Sequence, residues 1–244
     1  LLLAGLIVLN GSYNVHWIFY VLLFLTFSFI EFYGAYFIHS NFHLKAICQV
    51  KTSEKLIALT FDDGPALQTE KVLEVLAEFD AKATFFCIGN RIKGKENILE
   101  KADAYGHIIG NHSYSHGFLF DLKNTKALVL DLQLADDEIK KAIGKSPAFF
   151  RPPYGVTTPG LARAGKKLNL KVIGWNIRSL DTSIQDKQKV LERIKERLEP
   201  GSIVLMHDTI TGIEIVLKEL LIYLKENNYK IVPLDILIQK KAYA

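Results

Sequence analysis

The chain has 244 residues, 49% hydrophobic and 23% charged, with a formal net charge of +4. That is ample apolar material for one or two packed domains, and it excludes a disordered or low-complexity chain. The mild positive charge is not gathered into a basic, aromatic-interleaved patch, which argues against nucleic acid as a partner. Two cysteines, Cys48 and Cys87, are too few for a disulfide framework.

Charge is unevenly placed: within residues 1–47 only Glu31 and Lys45 are acidic or basic, histidine aside. A bilayer-spanning helix needs about 20 consecutive apolar residues. Residues 15–38 supply them, with Trp17, Tyr20, Tyr33 and Tyr36 as interfacial anchors and Glu31 toward one end of the span. Leu1 to Leu9 is also apolar and reads as the tail of another spanning helix. A signal peptide would have a basic start and a small-residue cleavage site. No basic residue precedes this run, and Ser40-Asn41-Phe42 is a poor cleavage context. The expected organisation is therefore a membrane segment over 1–47 and a folded domain over 48–244. Lys45, Lys51 and Lys55 would favour an inside placement of that domain, yet large domains translocate largely regardless of flanking charge.

From residue 55 onward strand and helix patterns alternate. The apolar run Leu56-Ile57-Ala58-Leu59 reads as a buried strand and the 3.6-residue pattern of Glu70–Phe79 as a helix. Ala83–Ile88 is the next strand, with Cys87 as a small core residue, followed by a helix over Glu96–Tyr105 and a strand over His107–Asn111. Helices over Thr125–Ile143, Pro159–Leu168, Gln188–Leu198 and Glu214–Glu226 precede strands at Ala148–Arg151, Lys171–Asn176, Ser202–His207 and Tyr229–Val232. About seven strands separated by helices predict an α/β fold with parallel, right-handed connections. The count alone does not distinguish an open sheet from a closed barrel.

The chemistry gathers at the carboxyl ends of these strands, where α/β folds assemble their sites. Thr60-Phe61-Asp62-Asp63-Gly64-Pro65 puts two adjacent carboxylates at the end of an apolar run and releases them into a Gly-Pro turn. Such charges are costly unless something uses them, and a metal and a proton transfer are both apt. His112-Ser113-Tyr114-Ser115-His116 carries two histidines four apart, so that one helical turn would aim both imidazoles the same way, toward a metal. Further polar clusters follow strands at Arg151-Pro152-Pro153-Tyr154, at Arg178-Ser179-Leu180-Asp181 and at Leu205-Met206-His207. His107 reads as structural, and His16, His39 and His43 fall at or near the membrane interface.

These five motifs, in this order over residues 55 to 240, resemble those of the polysaccharide deacetylases, the NodB-homology enzymes of carbohydrate esterase family 4. The resemblance implies a distorted, incomplete (β/α) barrel. It implies a divalent metal, zinc in the first instance with cobalt, nickel or manganese as alternatives, held by Asp63, His112 and His116. Two histidines and a carboxylate also describe non-haem iron oxygenases, so the ligand set alone leaves that class open. By the same resemblance Asp62 is the general base, Arg151 orients it and favours its ionised form, His207 is the general acid and Asp181 supports that imidazole. The Tyr154 N–H helps the metal to stabilise the oxyanion, Leu205 helps form the acetyl methyl pocket, and Trp175 adds an apolar wall. The fourth motif departs from the usual Asp-x-x-Asp-Trp: Arg178 and Thr182 stand where the first Asp and the Trp are expected.

The implied activity is hydrolytic removal of N-acetyl groups from a glucosamine-containing glycan by a membrane-anchored enzyme whose catalytic domain is extracytoplasmic. An O-acetyl esterase using the same site and a catalytically silent glycan-binding module are the rivals. Nothing in the sequence specifies an oligomeric state.

Overall fold

The computed structural model describes residues 16–244; the apolar run Leu1–Leu9 lies outside the described residues. The first element is a helix, α1 (Ile18–Tyr36), on which only Gly34 is buried. Its large apolar side chains face outward, Phe24 being 68% exposed. Length and composition suit a bilayer span, and its last turn is docked on the rest of the chain. The Thr157 N–H and hydroxyl donate to the Ala35 and Gly34 carbonyls at 2.9 and 3.2 Å. Phe42 packs so closely on Gly34 that a Cβ there would lie 2.3 Å from its ring. Glu31 lies 3.5 Å from His43.

The remainder alternates strand and helix. Strands are β1 (Ala46–Ile47), β2 (Leu56–Asp62), β3 (Ala83–Cys87), β4 (Ile108–Asn111), β5 (Phe149–Phe150), β6 (Lys171–Ile173), β7 (Ile177–Arg178), β8 (Ser202–His207) and β9 (Lys230–Ile231). Helices are α2 (Leu67–Glu78), α3 (Glu96–Ala104), α4 (Thr125–Ile143), α5 (Pro159–Lys167), α6 (Lys187–Lys195), α7 (Ile213–Glu226) and α8 (Leu234–Ile238). All strand pairs are parallel, in the order β1-β6-β5-β4-β3-β2-β8-β7, with β9 on the start of β2. The helix boundaries follow local chemistry. Asn124, Thr158 and Asp186 accept backbone N–H bonds at the starts of α4, α5 and α6, and Gly144 ends α4 at φ 71°.

The alternation of β2 positions the core and the site together. Ile57, Leu59 and Phe61 point one way, into a cluster with Val72, Leu73 and Leu76 of α2 and Leu217 and Leu220 of α7. Ala58 points the other way, packing with Phe86, Ile173 and Ile203 and with Leu234, Leu237 and Ile238 of α8. Each such large side chain contributes about 1.5–3 kcal/mol on burial. Thr60 and Asp62 continue Ala58's face toward the carboxyl end of the barrel.

Two expectations need correction. The predicted strand Lys171–Asn176 is split: β6 pairs with β5 and β1, whereas β7 has crossed to β8. The break follows from Asn176, whose amide is drawn into the adjoining strand, accepting the Ile203 N–H at 2.9 Å and donating to Ser202 Oγ at 3.0 Å. Residues 46–50 also join the sheet, with β1 on β6 and the Val50 N–H bonded to Gly201 O at 3.0 Å, so they close the barrel low on the same seam. Such two-residue strands carry no period that a sequence pattern reveals.

Asn176→Ala leaves the buried Ile203 N–H without its acceptor, and the expected loss is about 1–3 kcal/mol. Urea unfolding of the full chain in mild detergent measures it; an unchanged midpoint would mean that the seam does not depend on this amide.

Candidate active site

Thr60 and Asp62 face the barrel interior together with their register partners Leu205 and His207 on β8. Across that interior runs Arg151, wholly buried. Its Nη1 donates to Asp62 Oδ1 at 2.7 Å and to Thr60 Oγ1 at 2.8 Å, its Nη2 to Gly174 O at 2.9 Å, and its Nε to Ile173 O at 3.3 Å. The guanidinium also lies 4.2 Å from the centre of the Phe86 ring. A buried charge is tolerable only when paired and hydrogen-bonded in this way. Burial lifts Asp62 above the ordinary carboxylate value despite the opposing pull of Arg151, so the carboxylate is held in place and made more basic than a solvated one.

Asp63 turns out of the strand at φ 78°, a left-handed conformation uncommon for a residue with a side chain. Its Oδ1 lies 3.6 Å from His112 Nε2 and 3.4 Å from His116 Nε2. A tetrahedral shell with ligand bonds of about 2.0–2.1 Å has edges of about 3.3–3.4 Å, close to these separations. The ligand atoms of the three residues lie within 4.8 Å of one another. His112 Nδ1 is 2.7 Å from the Arg151 carbonyl, which can only accept, so Nδ1 carries the proton and Nε2 presents its lone pair. Burial pushes the His112 pKa down to about 3 and lowers that of His116, keeping both imidazoles neutral. Two neutral imidazoles and a carboxylate fit a divalent cation.

The two histidines do not share a helical turn, contrary to the spacing argument. Residues 112–116 form a loop with Ser113 at φ 65° and His116 at φ 43°. Side chains from elsewhere hold it. Asn111 accepts the Ser113 N–H at 2.8 Å, and Asp131 of α4 accepts the Tyr114 and Ser115 N–H groups at 2.8 and 3.2 Å. Asp131 also accepts from Ser115 Oγ and Lys123 Nζ, both at 2.6 Å. Sequence reasoning missed Asp131; its one signal was a carboxylate on the apolar face of a helix, beside Leu128, Leu132 and Ala135.

On the opposite side His207 Nδ1 meets Asp181 Oδ1 at 2.7 Å, while Asp181 Oδ2 accepts the His207 N–H at 2.7 Å. Burial disfavours the imidazolium, but the Asp181 hydrogen bond and charge outweigh it and leave the His207 pKa raised. Asp208, which the sequence placed at this strand end without a role, supports the Gly64 turn. It accepts from Thr69 Oγ1 at 2.6 Å and lies against Gly64, where a Cβ would come within 2.3 Å of its Oδ2. Burial raises its pKa to about 7.

Tyr154, at φ 59°, carries the first N–H after Arg151, because Pro152 and Pro153 have none. Its ring packs edge-on against His116 with centroids 4.8 Å apart, and is half exposed at the rim beside an apolar cleft lined by Phe118, Leu119 and Leu122. Leu205 is buried one layer below His207. Trp175 lies behind the Tyr154 loop: its ring would meet a Cβ on Gly155 at 2.5 Å and is 5.6 Å from the Arg151 guanidinium. His107 lies apart from this site, its Nδ1 accepting the Ala83 N–H at 3.2 Å, and burial lowers its pKa to about 4.

Residues 49–173 match the family model for polysaccharide deacetylase, and the chain belongs to that family. It is 35% identical over 194 residues to a peptidoglycan-N-acetylglucosamine deacetylase of Bacillus cereus, covering 72% of this chain and 68% of that protein. A second B. cereus protein of the same name is 32% identical over 157 residues, covering 64% of this chain and 57% of its own length. Among solved structures, the Bc1960 peptidoglycan N-acetylglucosamine deacetylase superposes with a TM-score of 0.76 at 27% identity, covering 81% of this chain and 94% of that one. The parallel-strand, incomplete barrel described above is the fold of these deacetylases.

Because Asp131 holds the loop that presents His116, any affinity of the Asp63, His112 and His116 cluster for added zinc is expected to fall about 10- to 100-fold in Asp131→Ala while the domain stays folded. Competition with a chromophoric chelator measures this; unchanged affinity would show that the loop holds itself.

Proposed function

We propose that this chain is a membrane-anchored, metal-dependent deacetylase that removes N-acetyl groups from glucosamine residues of a cell-wall glycan, releasing acetate and a free amine. The observation that carries the reading is the disposition of Asp62 and His207. They are neighbours on adjacent strands, one bound to Arg151 and the other to Asp181, and both flank the cluster of Asp63, His112 and His116. Substrate and location are inferred from the relatives named for peptidoglycan and from α1, with the catalytic domain on the extracytoplasmic side.

The three-residue cluster would hold a divalent cation, zinc first, whose Lewis acidity polarises the acetyl carbonyl and acidifies water. Asp62 takes the proton from the attacking water as its oxygen bonds to the carbonyl carbon. The Tyr154 N–H donates to the oxygen that becomes negative, and Leu205 limits the space left for the methyl group. Collapse of the tetrahedral species breaks the carbon–nitrogen bond, and His207 Nε2–H protonates the departing nitrogen, since an amide anion is a very poor leaving group. Asp181 holds Nδ1 and the ring's orientation throughout. The exposed apolar cleft beside Tyr154 offers a face on which a sugar of a polymer can rest.

Asp62→Asn is expected to keep its metal and lose about a hundred- to ten-thousand-fold in turnover, read as acetate released from N-acetylglucosamine oligomers and peptidoglycan. Full activity in that variant would remove Asp62 from the role of base; release from O-acetylated glycans alone would favour an esterase.

The pH profile tests the acid. A raised His207 pKa keeps the imidazolium present to higher pH, so the alkaline limb of kcat lies above the ordinary histidine value. Asp181→Asn removes the largest of the influences that raise it, and the limb is expected to move toward acid as kcat falls. An unmoved limb would assign it to another group.

A further inference from the structure

The crossing Trp175-Asn176-Ile177-Arg178 carries one of the two fourth-motif departures, Arg178 in place of an aspartate, and the hydrolytic site does not use it. Beside it lies a cavity of about 330 Å³, walled by Trp175 and Arg178 from the crossing, by Gln49 from the opposite edge of the seam, and by Arg193 and Arg197 near and beyond the end of α6. Three arginines thus line one space. Arg193 Nε donates to the Arg178 carbonyl at 2.9 Å, and Arg197 Nη1 donates to the Arg193 carbonyl at 3.2 Å. Only carbonyls of the arginines themselves are engaged in these contacts, so they neutralise none of the charge.

Among the described residues the compensating carboxylates are few. Glu196 lies 3.5 Å from Arg197 with 72% of its side chain exposed, and Glu199 accepts from Gln49 at 3.1 Å. Among the described residues Arg178 has no such carboxylate: its Nε is buried without a hydrogen-bond partner there, and its guanidinium is 6.0 Å from the Trp175 ring centre. An orphaned, part-buried arginine donor costs free energy that a bound acceptor returns. Burial and repulsion from Arg197 and Arg178 lower the Arg193 pKa, a penalty that a shared anion relieves. Guanidinium forks match the geometry of tetrahedral oxyanions, to which they donate paired hydrogen bonds.

We propose that this seam cavity is a phosphate-binding site, in which Arg178, Arg193 and Arg197 hold a phosphoryl group beside Trp175. The inference does not depend on the deacetylation reading, though Trp175 links the two sites because its ring also packs on Gly155 and neighbours Arg151. Two sources present this chemistry. One is a soluble phosphate or phosphorylated glycan. The other is a lipid headgroup, because His39, in the turn that follows α1, also lines the cavity.

The test uses the full chain in uncharged detergent micelles with chelator present, so that no cation in the Asp63 cluster can bind the anion. Inorganic phosphate is titrated by calorimetry. The expected result is saturable binding at a single site, weakened about tenfold or more by Arg178→Gln or Arg193→Gln. Arg163→Gln, on α5 away from the cavity, should leave it unchanged. Where Arg178→Gln fails to fold, Arg197→Gln at the exposed rim gives the same reading. Competition by phosphatidylglycerol but not phosphatidylcholine in mixed micelles identifies a headgroup, and its absence a soluble phosphate. No saturable binding, or binding indifferent to all three arginine variants, overturns the proposal. Loss of the hydrolytic reading would appear separately, as absent acetate release with phosphate binding intact.

Discussion

The buried pair of Arg151 and Asp62 is the constraint on which the rest of the site depends. A guanidinium with no solvent contact must find acceptors on several sides, and Arg151 finds them on β2, on β6 and on the crossing that follows it. In doing so it ties three parts of the barrel to the carboxylate at the end of β2. Its own carbonyl meets His112 Nδ1, so one residue fixes both the orientation of Asp62 and the tautomer of a candidate metal ligand. Removing one partner of such a pair leaves an uncompensated buried charge, typically a loss of about 3–5 kcal/mol.

Around that pair the site is a set of loops in conformations that regular structure does not supply. Asp63, Ser113, His116, Tyr154 and Leu180 all have positive φ. Three of these loops are secured from outside their own segments: Asp208 beneath Gly64, Asp131 under the histidine loop, and Trp175 behind Gly155. Strain of this kind persists only where surrounding contacts over-determine it. The scaffold is apolar and regular, and the polar residues that shape the loops lie on elements distant in sequence.

The same logic applies to the seam. A barrel that closes through two-residue strands and one asparagine amide leaves room for side chains that a continuous ladder would exclude. Arg178 occupies that room, in register with Leu205 and one indole ring from Arg151. Hydrolytic centre and arginine cluster are therefore neighbours through Trp175, and α1 joins the domain on the same side as the cavity through His39.

By itself the sequence determined the order of the long strands and helices, because apolar periods of two and 3.6 are local properties that survive without tertiary context. It also determined which residue types stand at the strand ends, and so the five motifs by which Asp62, Asp63, His112, His116, Arg151, Asp181 and His207 were singled out. Helical spacing, however, misjudged the histidine loop, since Asp131 of α4 holds the loop and the Arg151 carbonyl orients His112, where a 3.6-residue turn was expected. Only the tertiary structure decided the split of β6 from β7, the parts played by Asp131 and Asp208, and the meeting of Arg178 with Arg193 and Arg197. These depend on hydrogen bonds and charges between residues far apart in the chain, and no local period encodes which distant side chain completes a loop or leaves an arginine unpaired.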